Sequence, residues 1–429
     1  MHDNDKYLAN SYEKKRKFGG LTAGVIILVF ANTTAAGAEW CTAALQNIQN
    51  SFPNVPYSVI SLVLNIPNLC AAVLSIVSGI IVDRKISLKK LMLIAIAFHC
   101  IGGVMPAFFG ENSIGMLLFG RFVFGIGYGL MQGIGISMSF KLIKEDKLRS
   151  HAMGWAVASQ YAMNLIAQFI VGFLSDIRWY YSFFVYFWGL IPFIVVLVFF
   201  PKFERAEKCV KTPKSTRPTV EREPLRTTFK KLPATVWIFS LFTAIFMFTY
   251  YPLFLFNSKI IMERGFGAGT EAGIAMTFYA ILTIVSGVIY GFLQKKFKHV
   301  TLCICLVGTG ISLLGLYYST SFAMVCASMV LSGIASTGVI PACVNEIYGS
   351  VPLSRSFVAA GLAACGVNGG AFLTTPYLMI FEKLGRSTVD ALFVSAIIMI
   401  AFGFATIKFC KKADREKEER LKIEKDLYV

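Results

Sequence analysis

Charge is what this sequence has least of. Of 429 residues only 15% are Asp, Glu, Lys or Arg, while 56% are hydrophobic and mean hydropathy is +0.64. An ordinary soluble domain carries about 25% charged residues. The polar surface that would keep a chain of this length dispersed in water is missing, which argues against a large soluble enzyme. Patterns for catalysis are missing too. There is no G-x-x-x-x-G-K-S/T phosphate loop, so ATP hydrolysis by this chain is not expected. Neither H-E-x-x-H, nor G-x-S-x-G, nor a clustered carboxylate site occurs, so the chain does not read as an enzyme. Ten cysteines are scattered, and only Cys303 and Cys305 lie close together, with no matching His or Cys pair. They read as small apolar packing residues, and neither a metal nor another cofactor is expected.

What the sequence has instead is apolar blocks of membrane-spanning length, which for helix means about 20 residues. Twelve candidate spans fall at about 18–47, 57–82, 90–109, 114–140, 150–174, 179–200, 234–256, 270–293, 300–318, 321–346, 356–381 and 388–410. The basic stretch Lys14-Lys15-Arg16-Lys17 before the first block, with Ala36-Gly37-Ala38 within it, resembles a signal peptide. The block is long enough to span, however, and an uncleaved first helix is expected. Residues 201–233 are rich in Lys, Arg, Pro and Thr and read as a linker. The expected organisation is therefore an N-terminal segment (1–17), a six-helix half (18–200), the linker (201–233), a second six-helix half (234–410) and a tail (411–429).

The net charge of +17 could suggest nucleic acid, but its distribution gives another reading. With the N-terminus in the cytoplasm, 35 of the 41 Lys and Arg residues fall on cytoplasmic segments. Five fall on the other side (Arg178, Lys259, Arg264, Lys383 and Arg386), and Arg121 lies within a span. The positive-inside rule puts both termini and the linker in the cytoplasm, so the basic charge marks topology and no nucleic-acid partner is expected. An all-α, multi-pass protein of the plasma membrane follows, its partners the lipid bilayer and a small molecule, acting as a monomer.

An internal repeat is also visible. Arg149 and Gly154 recur as Arg355 and Gly361 at offsets of 206 and 207, and Gly79 recurs as Gly287 at 208. Nearly equal offsets suggest two equivalent halves.

Between spans two and three the chain reads Gly79-Ile-Ile-Val-Asp83-Arg84-Lys85-Ile-Ser-Leu-Lys89-Lys90. Span four carries Arg121-Phe-Val-Phe-Gly125-Ile-Gly127-Tyr128-Gly129. The first resembles the G-x-x-x-D-R-x-G-R-R-K signature of the major facilitator superfamily, with Ile86, Ser87 and Leu88 departing from it. The second is similar to that superfamily's R-x-x-x-G signature. Over the whole length, six plus six spans with a central linker fit the same family. The resemblance implies the major facilitator fold, alternating access of two halves about a central site, and a cytoplasmic gate at Gly79, Asp83 and Arg84. It does not extend to the drug:proton antiporters, whose G-x-x-x-G-P-x-x-G-G has no counterpart in the stretch from Gly154 to Asn164.

Glycines at i and i+4 in span four permit tight helix crossing. Arg121 is the basic residue that falls clearly within a span, where its cost marks it as functional unless it is paired or snorkels outward. Glu39, in span one, lies at a similar depth, roughly 10–12 Å from the outer surface by a rise of 1.5 Å per residue. The expectation is a Glu39–Arg121 pair that protonation releases, coupling protons to the conformational cycle. Gln160, Asn164 and Gln168 form a polar stripe at i, i+4 and i+8 of span five, facing either a cavity or a neighbouring helix. Asn32, Gln132, Gln160, Asn164, Tyr250, Tyr251 and Asn368 are the candidate substrate groups, with Thr33 and Thr34 beside Asn32. His99 reads as a hydrogen-bonded structural residue. The leading expectation is a secondary active transporter that exports an amphipathic solute at the expense of a proton gradient. The alternative is proton-coupled uptake of an organic anion, with Arg121 as its counter-charge. A membrane-embedded transferase would need polar catalytic clusters that the sequence lacks, and a receptor-like subunit would need an added soluble domain.

Overall fold

The computed structural model describes residues 22–407 apart from 36, 82–85, 144–145, 210–228, 230, 298–299 and 352–354. In hydrocarbon a backbone must satisfy its own polar groups, and the apolar blocks do so by coiling into helix. Eleven helices among the described residues are long and apolar enough to cross a membrane, and Thr301–Tyr317 is a shorter apolar twelfth. The spans are one (Thr22–Ser51), two (Tyr57–Ile81), three (Leu88–Phe109), four (Ile114–Leu142) and five (Asp146–Ile177). Span six joins a 3-10 stretch, Trp179–Gly189, to Leu190–Cys209, so its helix continues beyond the expected boundary at 200. Span seven is Ala234–Tyr250 and Pro252–Glu263, eight Gly269–Phe297, nine Thr301–Tyr317, ten Phe322–Ser336 and Val339–Gly349. Span eleven is Ser356–Lys383 and span twelve Asp390–Ile407. Large apolar side chains such as Ile101, Phe119, Phe173, Leu241 and Phe404 stay exposed, as an integral membrane protein requires of its outer face.

Three spans expected to be continuous are broken, each for a local reason. In span one, Thr33 and Thr34 turn their hydroxyls back to the carbonyls of Phe30 and Ala31, at 2.6 and 2.8 Å, in competition with the helix ladder. A 3-10 stretch, Gly37–Ala44, follows. Span seven breaks at Pro252, which has no N–H to give. Span ten breaks at Thr337 and Gly338, three residues before Pro341.

Packing follows the repeat. In the first half, span two crosses span four, three packs on four and six, and one packs on five. The second half repeats the scheme, with eight on ten, nine on ten and seven on eleven. The two halves meet through span two against eleven and span five against eight, pairs related by an exchange of halves. Glycines permit close approach at two of these crossings. A methyl group on Gly125, Gly129 or Gly133 of span four would fall within 2.9 Å of span two. Gly172 of span five and Gly273 of span eight face each other, and a methyl on either would come within 2.6 Å of the other helix's backbone.

Candidate functional site

The breaks in spans one, seven and ten meet the same cavity, of about 480 Å³, between the halves. Irregular backbone at membrane depth is tolerated where it lines such a cavity, which is also where it can serve a solute. Asn32, Ala35 and Glu39 come from the first break, Tyr250 and Phe254 from the second, and Ser336, Thr337 and Pro341 from the third. Spans four and five add Tyr128, Gln132, Gln160, Tyr161 and Asn164, and spans eight and eleven add Tyr279, Thr283 and Asn368. Glu39 is the one charged side chain among the described lining residues.

Backbone carbonyls freed by the first break have to find donors, and side chains of spans four, five and six supply them. Gln132 donates to the carbonyl of Ala35 at 3.1 Å, Tyr186 to that of Gly37 at 2.7 Å, and Gln168 to that of Glu39 at 2.7 Å. Arg121 donates through one terminal nitrogen to the carbonyl of Ala38, at 3.0 Å. Its Nε reaches the carbonyl of Val63 at 2.7 Å. That carbonyl lies four residues before Pro67, whose ring nitrogen cannot complete the helix. The guanidinium is fully buried, bonds the Tyr186 hydroxyl at 2.9 Å, and lies 4.3 Å from the centre of the Phe124 ring. Together these contacts form a collar around the broken stretch of span one.

The collar corrects the expected Glu39–Arg121 ion pair, which is not formed in this conformation. The fork of Arg121 engages two backbone carbonyls and a phenol, three acceptors that its planar multi-donor geometry serves at once. Glu39 instead lines the cavity. Arg121 is absent from the described lining of the cavity. Tyr251 also departs from expectation. It is buried away from the cavity, and its hydroxyl accepts a hydrogen bond from Asn68 of span two at 2.7 Å. Asn32, Gln132, Gln160, Asn164, Tyr250 and Asn368 stand on the cavity wall, while Gln168, the third member of their stripe, belongs to the collar. His99 packs as a ring among Trp40, Phe124 and Tyr186, and neither of its nitrogens has a hydrogen-bond partner in the structure, contrary to the expected hydrogen bond. Gly79 lies in the helix of span two, and Asp83 and Arg84 lie outside the described residues.

On the side away from the linker the halves are sewn together. Asp176, at the end of span five, accepts from the backbone N–H groups of Gly269 and Thr270 at 2.6 and 2.7 Å, capping span eight. Glu382, at the end of span eleven, accepts from the N–H of Ser58 at 2.9 Å and from its hydroxyl, capping span two. Ser61 and Asn65 meet the Thr375 hydroxyl at 2.9 and 2.7 Å. Tyr57 donates to the carbonyl of Leu255 and stacks on Phe256. Toward the linker, by contrast, the cavity wall runs down to Met153, Val344 and Gly361, near the linker-side ends of spans five, ten and eleven. The cavity is therefore sealed on the far side and reaches toward the linker.

Sequence reasoning missed both caps, along with Tyr128, Tyr161 and Tyr279. Tyr128 and Tyr161 stand in stretches already singled out, at Gly127–Gly129 and Gly154–Asn164, and Tyr279 does not. The caps had one available signal, since Asp176 and Glu382 are separated by the 206 positions of the repeat.

The family model described as Major Facilitator Superfamily matches residues 21–269 and 253–426. No curated protein matches the sequence. Solved structures resemble it at low identity. The nucleoside transporter NupG, in a mutant form, superposes with a TM-score of 0.70 at 14% identity, covering 90% of this chain and 99% of its own. A POT family transporter in complex with 5-aminolevulinic acid gives 0.69 at 13%, covering 91% and 96%. A bacterial homolog of the human lysosomal transporter Spinster, inward-facing and unoccupied, gives 0.67 at 18%, covering 94% and 98%. At these identities the likeness speaks for the fold alone.

Proposed function

The chain belongs to the major facilitator superfamily, and on that premise we propose that it exports a small amphipathic solute in exchange for protons. The observation that carries this reading is the cavity between the halves, polar at its broken helices, apolar at Phe246, Met247, Val344 and Val367, and containing Glu39. Such a mixed wall suits a solute with both an apolar body and a few hydrogen-bonding groups. In the conformation seen here the solute enters from the linker side. When the caps on the far side part and the linker-side ends close, it leaves there. Gly79, Asp83 and Arg84 hold the linker side shut in that second state, and Glu39 carries the proton back.

Arg121 acts in this scheme as a positioning residue. By fixing the carbonyls of Ala38 and Val63 it ties the broken span one to span two, and so keeps Glu39 directed at the solute. The test is flux into and out of proteoliposomes under an imposed pH gradient, across a panel of small organic solutes. The reading expects at least one solute to move uphill when the gradient is present and to stop when it is collapsed. Movement of none of a broad panel would overturn it.

A further inference from the structure

The cavity's charge is the feature that says most about its cargo. Among its described lining residues there is one carboxylate, Glu39, and no Lys, Arg or His. Facing it are phenols from four different spans: Tyr128, Tyr161, Tyr250 and Tyr279. Phe246 stacks on Tyr250, and Phe254 meets both Tyr250 and Tyr279 edge-on, with ring centres 5.2 to 5.5 Å apart. An aromatic wall attracts cations through the faces of its rings, most strongly where water is excluded.

Among the described residues, the elements packed around the first break present no charge that balances Glu39. Span four offers Arg121, which is bound to carbonyls and a phenol, and span three offers His99, enclosed by rings; neither lines the cavity. Spans five, six, seven and eight offer phenols (Tyr161, Tyr186, Tyr250, Tyr251 and Tyr279). Span seven also carries Lys259, which pairs with Glu263 at 3.4 Å, lies over the Tyr57 ring and does not line the cavity. Among the described residues no ion pair reaches Glu39. An uncompensated carboxylate in a membrane cavity is costly. Two species can neutralise it: a proton, or a positive charge on the solute.

We infer that the solute is an organic monocation with an aromatic face, and that it and the proton occupy the Glu39 carboxylate in turn. This rests on the reading of the chain as a proton-coupled transporter, and it adds the charge and ring of the cargo. It also supplies the coupling. A site that holds the cation or the proton, never both, crosses loaded with one and returns loaded with the other. An anion finds no counter-charge and meets Glu39 as a repulsion.

Three probes of one shape separate the charges: trimethyl(2-phenylethyl)ammonium, 2-phenylethanol and phenylacetate. Binding to the purified full chain is followed by calorimetry, with proton release read in weakly buffered solution. The cation is expected to bind at least tenfold more tightly than either of the others and to release protons as it binds. Glu39→Gln is expected to lose tenfold or more of the cation affinity and all of the proton release, while Glu39→Asp keeps the release. The thermal midpoint of each variant shows whether it is folded. Equal cation affinity in folded Glu39→Gln, tighter binding of phenylacetate, or no binding of the cation at millimolar concentration would each overturn the inference. Flux assays separate its failure from that of the transport reading. Uphill movement of an anion would sink the charge assignment and leave transport standing. Cation binding that depends on Glu39, without flux of any solute, would do the reverse.

Discussion

Asp176 and Glu382 do the same work in opposite halves of the molecule. Each is the acid near the end of a long span, each caps the first turn of a span in the other half, and 206 positions separate them. Carboxylates suit helix N-termini because the first N–H groups lack partners and carry the positive end of the helix dipole. The pair closes the far side at two points related by the exchange of halves. The glycine crossing of Gly172 and Gly273 lies one turn below the first of them.

Removing either cap should favour the conformation open on the far side. A lost cap is worth about 1 kcal/mol, or roughly fivefold in the ratio of two states. Spin labels at Asn54→Cys and Arg386→Cys, in a cysteine-depleted background, report the width of that side. Asp176→Ala and Glu382→Ala should each raise the long-distance population, and together raise it further. An unchanged distance distribution in the double variant would show that the caps do not hold the seal.

Arg121 should behave as a structural donor and not as the partner of a carboxylate. Arg121→Met leaves two buried carbonyls unsatisfied, at about 1–3 kcal/mol each, and should lower the thermal midpoint sharply. Arg121→Lys should recover little, because a point ammonium cannot reach both carbonyls. In a double-mutant cycle with Glu39→Gln, the two effects on stability should add to within about 0.5 kcal/mol. A larger coupling would restore the ion pair that the collar displaces.

The span two–four crossing predicts a graded glycine series. Gly133→Ala places a methyl 2.0 Å from Ser78 Oγ and 2.1 Å from the Ser75 carbonyl, and should cost about 1–3 kcal/mol. Gly154→Ala and Gly349→Ala meet nothing within 4 Å and, as helix positions, should be neutral or gain about 0.5–1 kcal/mol. Thermal midpoints of the three variants check the order. Equal losses at all three would contradict the assigned crossing.

Adjacent tyrosines should separate binding from gating. Tyr250 stands in the cavity, bonded to Ser332 and Ser336 at 2.9 and 3.0 Å, while Tyr251 ties span seven to span two through Asn68. Tyr250→Phe should raise the KM of transport. Tyr251→Phe should leave solute affinity unchanged and widen the far side in the spin-label measurement. The opposite assignment of effects would reverse their roles.

Much of this architecture was legible in composition and periodicity. Spans two, three and eleven were placed to within a few residues because apolar length and flanking charge are local properties. The breaks in spans one and ten were harder to see. A Thr-Thr pair or a Gly shortly before Pro costs a helix little on average, and in span one the broken stretch is held by side chains of other spans that donate to the freed carbonyls. Similar depth suggested that Glu39 and Arg121 pair, and in this conformation they do not. Depth along a helix can be read from sequence, but the face toward which a side chain turns depends on neighbours. Pro67 was the overlooked clue, since it orphans the carbonyl of Val63 that Arg121 takes.

The central claim is that Glu39 couples protons to solute movement across a cavity that alternates between the two sides. Glu39→Gln in proteoliposomes tests it most directly, with trimethyl(2-phenylethyl)ammonium as the transported probe. The account predicts that the variant still exchanges labelled for unlabelled probe at equal concentrations but no longer accumulates it under a pH gradient. Accumulation by Glu39→Gln with the same dependence on the pH gradient as the unmodified protein would contradict it.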